Sequence, residues 1–287
     1  MGLLENKTIV VTGGSMGIGL AVAQRCAEEG ASLILASRHE NNLQKAVKTL
    51  GGNGRPHSYY CLDVSVAEIV KKTAERIAKK LVCIDGLVNC AGIYGPIGKT
   101  DSVDPAQFAE AININLLGTF YVCRFFSPLL KKAKRGKIVN YSGGGAAGPF
   151  PNYSAYAVSK TGIVRLTENL AAELKEDNID VNAVAPGFVV TRLHQETVNA
   201  GQRAGEEFLK KTIEQLSMGG VSPTVAANLT VFLLSSASDG ITGKFISAPW
   251  DPWQNDVFRA RLRQDADFAV LRRIDDKIFF KKTTKET

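Results

Sequence analysis

The sequence predicts an α/β fold, a doubly wound, parallel, seven-stranded sheet with helices on both faces. Three observations predict it. Short apolar runs rich in Val, Ile and Leu alternate with stretches of helical periodicity along most of the 287 residues, and a strand buried on both faces reads as such a run. The first strand–helix–strand unit closes within about 30 residues, the length of one βαβ repeat. No internal repeat or low-complexity linker breaks the alternation. Residues 1–250 therefore read as one domain, and 251–287 as a C-terminal extension.

Each element has its own signal. Thr8–Thr12 is a β-branched run and the first strand. Gly17–Glu29 carries apolar residues at helical spacing, and Gly30 is placed to end it in a left-handed turn. Ser32–Ala36 and His57–Leu62 are the second and third strands. Ala67–Leu81 reads as an amphipathic helix and Gly86–Cys90 as the fourth strand. Pro105 stands in the first turn of a long helix that runs to Leu130, where its missing N–H costs nothing. Lys137–Tyr141, Asp180–Ala185 and Lys244–Ser247 are the remaining strands. Ser154–Lys175 and Pro223–Leu234 are the helices between them. The polar, glycine-containing stretch Thr191–Gly220 predicts a lid over a ligand, because long insertions at a sheet's carboxyl edge serve that use. In the extension, Asn255–Leu271 reads as a helix.

Composition narrows the function. The hydrophobic share of 45% is that of an ordinary globular chain, and no apolar run approaches the roughly 20 residues of a membrane span. The first residues lead directly into a strand, unlike a signal peptide. Five scattered cysteines with no CxxC pair point to reduced thiols in the cytoplasm, not to disulfides or a metal site. The net charge of +7 suits anionic small ligands. Nucleic acid is not an expected partner, because the basic residues are dispersed and no binding motif accompanies them.

The glycine-rich turn Thr12-Gly13-Gly14-Ser15-Met16-Gly17-Ile18-Gly19 leaves the first strand and opens the first helix. A helix N-terminus offers free N–H groups and partial positive charge to a pyrophosphate, and the glycines let backbone approach it. The end of the second strand, Ala36-Ser37-Arg38, lacks the carboxylate that holds the ribose hydroxyls of NAD. Arg38 and Ser37 suit the 2′-phosphate of NADP instead. On the helix from Ser154, Tyr156 and Lys160 are four residues apart and share one face. A cation beside a phenol lowers its pKa from about 10 and fits it for proton transfer to a carbonyl.

The spacing Thr-Gly-x-x-x-Gly-x-Gly, the element Asn89-Cys90-Ala91-Gly92 and Tyr-x-x-x-Lys together resemble the main branch of the short-chain dehydrogenase/reductase family, over residues 5–248. The resemblance implies a Rossmann-like fold, hydride transfer between NADP(H) and a carbonyl or secondary alcohol, and Tyr156, Lys160, Ser142 and Asn115 as the catalytic group. Relatives carry a serine thirteen residues before the tyrosine. Gly143 stands there, and Ser142 before three glycines is expected to reach the site by a bulge. The cofactor contacts implied are Gly13, Ser15, Met16, Gly17, Ile18 and Gly19, then Ser37 and Arg38, then Asp63 and Val64. Asn89, Ala91 and Gly92 follow, with Tyr156, Lys160, Pro186, Gly187, Val189 and Thr191. The family also implies a homodimer or homotetramer paired through the two long helices. Tyr94, Phe150, Tyr153 and Phe188 are candidates for an aromatic substrate wall, with Arg192 and His194 for an anionic group. Two alternatives stay open: a non-catalytic dinucleotide-binding sensor or scaffold, and an enzyme of the same family acting on a nucleotide-linked sugar.

Overall fold

The computed structural model describes residues 2–51 and 54–274; the last part of the extension, 275–287, lies outside them. Seven parallel strands form one sheet: β1 (Thr8–Thr12), β2 (Ser32–Ser37), β3 (Ser58–Cys61), β4 (Gly86–Asn89), β5 (Gly136–Tyr141), β6 (Ile179–Ala185) and β7 (Phe245–Ser247). Their order is β3-β2-β1-β4-β5-β6-β7. This is the Rossmann-like architecture expected from the sequence. Successive residues of β1 face opposite ways. Ile9 and Val11 join the core under α1 (Gly17–Glu28), α2 (Glu40–Thr49) and α9 (Pro223–Leu234). Val10 joins the opposite core, under α3 (Ala67–Ala78), α5 (Gly118–Leu130) and α6 (Ser154–Glu173). Each fully buried Val, Leu or Ile contributes about 1.5–3 kcal/mol, so this two-sided burial is the main force holding the sheet.

Four segments depart from the sequence reading. The helix expected over Pro105–Leu130 is α4 (Pro105–Ile112), one π-helical turn at Asn113–Leu117, and α5. Within this turn lies Asn115, whose Nδ2 donates to Ile93 O (2.9 Å) and Ser159 Oγ (2.9 Å) and whose Oδ1 accepts from Ile93 N (2.8 Å). Single π-helical turns are frequent at functional sites, and Thr119 Oγ1 donates to the Asn115 carbonyl at 2.7 Å. Helix α2 was not anticipated; its signal is short, Leu43 and Ala46 being the buried pair. The stretch from Thr191 to Gly220, expected as a lid, holds helices the sequence reading did not assign: α7 (Arg192–Ala200), a 3-10 turn and α8 (Glu206–Ser217). In the extension, α10 spans only Asp256–Gln264. Asn255 Oδ1 caps its start, and Lys244 Nζ ends it by taking the carbonyls of Asp265 (2.6 Å) and Phe268 (2.9 Å). Trp253 and Leu262 of the extension are buried in the core of α1 and α9.

Candidate active site

Ligands of open parallel sheets bind beyond the carboxyl ends of the strands, where the strand order reverses. Here the reversal lies between β1 and β4, and a cavity of about 450 Å³ is bounded by the segments that follow β1 to β4. Gly13 and the run Ser15 to Gly19 line it. Gly13 has φ +66, and a Cβ there would stand 2.8 Å from Ala91 N, so only glycine lets the two segments meet. No side chain caps the start of α1, which leaves its first N–H groups for an anion. A Cβ on Gly17 would meet only Thr191 Cγ2, at 3.7 Å, so this stretch of backbone is open to the cavity.

Ser37, Arg38, Asp63, Val64, Ala91, Gly92 and Thr191 line the same cavity, as the sequence led us to expect. Ser37 Oγ is buried without a hydrogen-bond partner among the described residues, a polar group oriented for something the chain does not supply. Asp63 Oδ1 accepts from Ser65 N (2.9 Å) and Ser65 Oγ (2.6 Å), so its carboxylate also fixes the turn into α3. Asn89 is placed differently from the expectation. Its side chain is buried between strands, with Nδ2 donating to Asn140 Oδ1 (2.9 Å) and Oδ1 accepting from Thr12 Oγ1 (3.4 Å). It ties β1, β4 and β5 together and does not line the cavity. His39, beside Arg38, does line it and was missed; its adjacency to Arg38 was the available signal.

A second cavity, of about 750 Å³, meets the first at Ile18, Thr191 and Leu193, which line both. Tyr156, Pro186, Gly187 and Val189 belong to its wall. Tyr156 is only 8% exposed, and burial pushes its phenol above the usual range. Lys160 lines neither cavity. Its Nζ donates to Tyr141 O at 2.8 Å, lies 5.5 Å from the Tyr156 ring centre, and stands 3.5 Å from where a Cβ on Gly92 would be. Burial lowers the Lys160 ammonium to about 8, against a weaker opposing pull from Cys90. The spacing thus places both groups together as read. The expectation of a lowered phenol pKa is not met, because desolvation governs Tyr156.

Ser142 also departs from expectation. Its Oγ donates to Lys160 O at 3.1 Å, in the interior beneath α6, and it does not line the cavity. Gly143 does, and a Cβ on Gly143 would overlap the Tyr156 Oη. The three glycines do not bulge Ser142 outward. They let the backbone lie against the phenol and turn at Gly145, where φ is +80 and a Cβ would stand 2.7 Å from Phe150 Cβ. Asn115 reaches the group through Ser159, whose Oγ donates to Tyr156 O at 2.7 Å.

Of the aromatic wall, Tyr94, Phe150 and Phe188 line the second cavity. Tyr153 stands behind it, fully buried, its Oη donating to Thr197 Oγ1 at 2.9 Å. Arg192 lines the first cavity and His194 the second. Arg192 Nε is paired with Glu196 at 3.3 Å. Burial lowers His194 to about 4, so its imidazole is neutral at pH 7. No group of metal-ligating side chains occurs among the described residues.

The family model described as short chain dehydrogenase matches residues 7–202. The chain belongs to the short-chain dehydrogenase/reductase family. It is 32% identical over 243 residues to the dehydrogenase/reductase SDR family member 4 of Sus scrofa, covering 85% of this chain and 86% of that one. A 3-oxoacyl-acyl-carrier-protein reductase of Thermotoga maritima is 32% identical over 244 residues, 85% of this chain and 96% of the relative. Among solved structures, an NAD+-bound xylitol dehydrogenase superposes with a TM-score of 0.78 at 30% identity, covering 85% of this chain and 98% of that one. As a short-chain dehydrogenase/reductase, the protein is an oxidoreductase that uses a nicotinamide dinucleotide. The residues around the first cavity fit such a group: an uncapped helix start, an open glycine turn and the unpaired Ser37 hydroxyl.

Proposed function

We propose that the protein reduces the carbonyl group of a small molecule to a secondary alcohol with NADPH, Tyr156 donating the proton. The observation that carries this reading is the place of the phenol, in the wall of a cavity that adjoins the cofactor-sized one. Tyr156 lines the second cavity and is kept protonated by burial, which is the form a general acid needs. Its Oη makes no hydrogen bond among the described residues, so its proton is available to a substrate oxygen. A nicotinamide dinucleotide held in the first cavity would supply the hydride. As the proton leaves, the Lys160 cation near the ring favours the phenolate that forms. Asn115 and Ser159 hold the backbone of α6 at Tyr156 in place.

The preference for NADPH over NADH rests on Ser37 and Arg38 at the end of β2 and on the absence of a carboxylate there. Pairing into a homodimer or homotetramer through the π-turn region, α5 and α6 is supported by exposed Leu117, Phe120 and Val158. Five free thiols suit a reducing, cytoplasmic setting. A panel of ketones and aldehydes with NADPH, followed by nicotinamide absorbance, tests the activity. Consumption of NADPH with alcohol formation is expected; binding of the cofactor without turnover of any carbonyl contradicts it.

A further inference from the structure

Part of the wall of the second cavity is formed by the chain directly after β7, where the resemblance to relatives stops. Trp250 and Asp251 line it together with Phe208, Lys211 and Gln215 of α8. The indole of Trp250 is 75% exposed. An indole left open at a cavity wall offers a large flat surface to a bound ligand.

The turn that carries Trp250 is pinned on every side. Asp251 Oδ2 accepts from Ser247 N at 2.7 Å, and Asp251 N donates to Ser247 O at 3.2 Å. Pro249 packs on Gly187, where a Cβ would stand 2.7 Å from Pro249 Cγ. Trp253 Nε1 donates to Ala248 O at 3.0 Å, and its ring is buried beside Phe232. Trp250 is therefore held at the cavity by its neighbours while its own ring face is free. Ser247 Oγ, in the same wall, is buried and has no partner among the described residues.

We propose that Trp250 is a specificity-determining residue: it stacks on a flat, neutral aromatic part of the substrate whose carbonyl end lies at Tyr156. Phe150 and Phe208, edge to face at 4.8 Å, line the same cavity. Lys211 and Asp251 place one charge of each sign at this end, so neither sign of ligand is favoured. Aromatic stacking adds to the gain from the area buried, which makes one indole enough to rank substrates.

This rests on the carbonyl-reductase reading, and the test separates the two. The chain has two tryptophans, so protein labelled with fluorotryptophan gives two fluorine NMR signals, assigned with Trp250→Phe. With NADPH present, acetylnaphthalene is expected to shift the Trp250 signal and leave that of Trp253 unmoved. Trp250→Ala is expected to lower kcat/KM for acetylnaphthalene at least tenfold more than for butanone, and Trp250→Phe to recover most of the difference. An unmoved Trp250 signal, or equal losses for the two ketones, overturns the proposal. A shifted Trp250 signal with neither ketone reduced supports it and refutes the reductase reading instead.

Discussion

The Lys160 Nζ lies 5.5 Å from the centre of the Tyr156 ring and donates its hydrogen bond to the Tyr141 carbonyl, not to the phenol. The two side chains therefore interact through the ring face and the local field. Tyr156 retains its proton until a substrate oxygen takes it, and the cation stabilises what remains. Most expectations for mutation and pH follow from that separation.

A buried ammonium that titrates near neutrality gives the reaction a basic limb. Lys160 is lowered to about 8, so it is charged below that pH and neutral above it. The rate of carbonyl reduction is expected to fall as pH rises through about 8, and Lys160→Met is expected to lose this limb along with most of the rate. The folding linkage has the opposite sense. Between about 8 and the ordinary 10.5 the unfolded chain binds the proton and the folded one does not, so this group's contribution to stability rises with pH there. A pH–rate profile checks the first statement; unfolding midpoints of the wild type and Lys160→Met across the same range check the second.

Ser142→Ala is expected to leave kcat within about threefold of wild type, because the Ser142 hydroxyl bonds Lys160 O and not the cavity. Its loss removes one buried hydrogen bond, with about 1 kcal/mol of stability. Steady-state kinetics and thermal unfolding of the same preparation separate these effects.

Gly143→Ala is expected to be severe, because the added methyl overlaps the Tyr156 Oη. A displaced phenol loses its catalytic contribution, about 100-fold or more in kcat. Gly144→Ala is the control: its Cβ would meet Phe150 at an ordinary 3.6 Å. The two variants compared at saturating cofactor decide the point.

Arg38→Ala is expected to weaken NADPH by about 10–100-fold, the value of a hydrogen bond to a charged group, and to change NADH little. Dissociation constants for both cofactors measure it. Equal losses would remove Arg38 from recognition of the 2′-phosphate.

The sheet was legible in the sequence because strands such as β1 and β2 carry continuous apolar runs, a pattern local enough to read strand by strand. The glycine turn was legible because its function is carried by backbone, so the residue type itself is the signal. Helix α2 was not, since two buried residues give too little periodicity to stand out. The break at Asn115 was also hidden, and the partners of its side chain, Ile93 and Ser159, are far away in sequence. The same holds for Ser142. One residue of offset from Gly143 turns a side chain at a strand end from one face to the other, and only the packed backbone shows which residue faces the phenol. The direction of the Tyr156 shift was missed because spacing reveals a neighbouring charge but not the depth of burial that outweighs it.

The central claim is that the Tyr156 phenol delivers the proton to the substrate oxygen. The most direct measurement is single-turnover reduction of a carbonyl substrate by Tyr156→Phe preloaded with NADPH, with cofactor affinity measured on the same protein. The account predicts a rate lower by about 100-fold or more, as for loss of a general acid, with NADPH affinity retained. A Tyr156→Phe enzyme that turns over at the wild-type rate would contradict it.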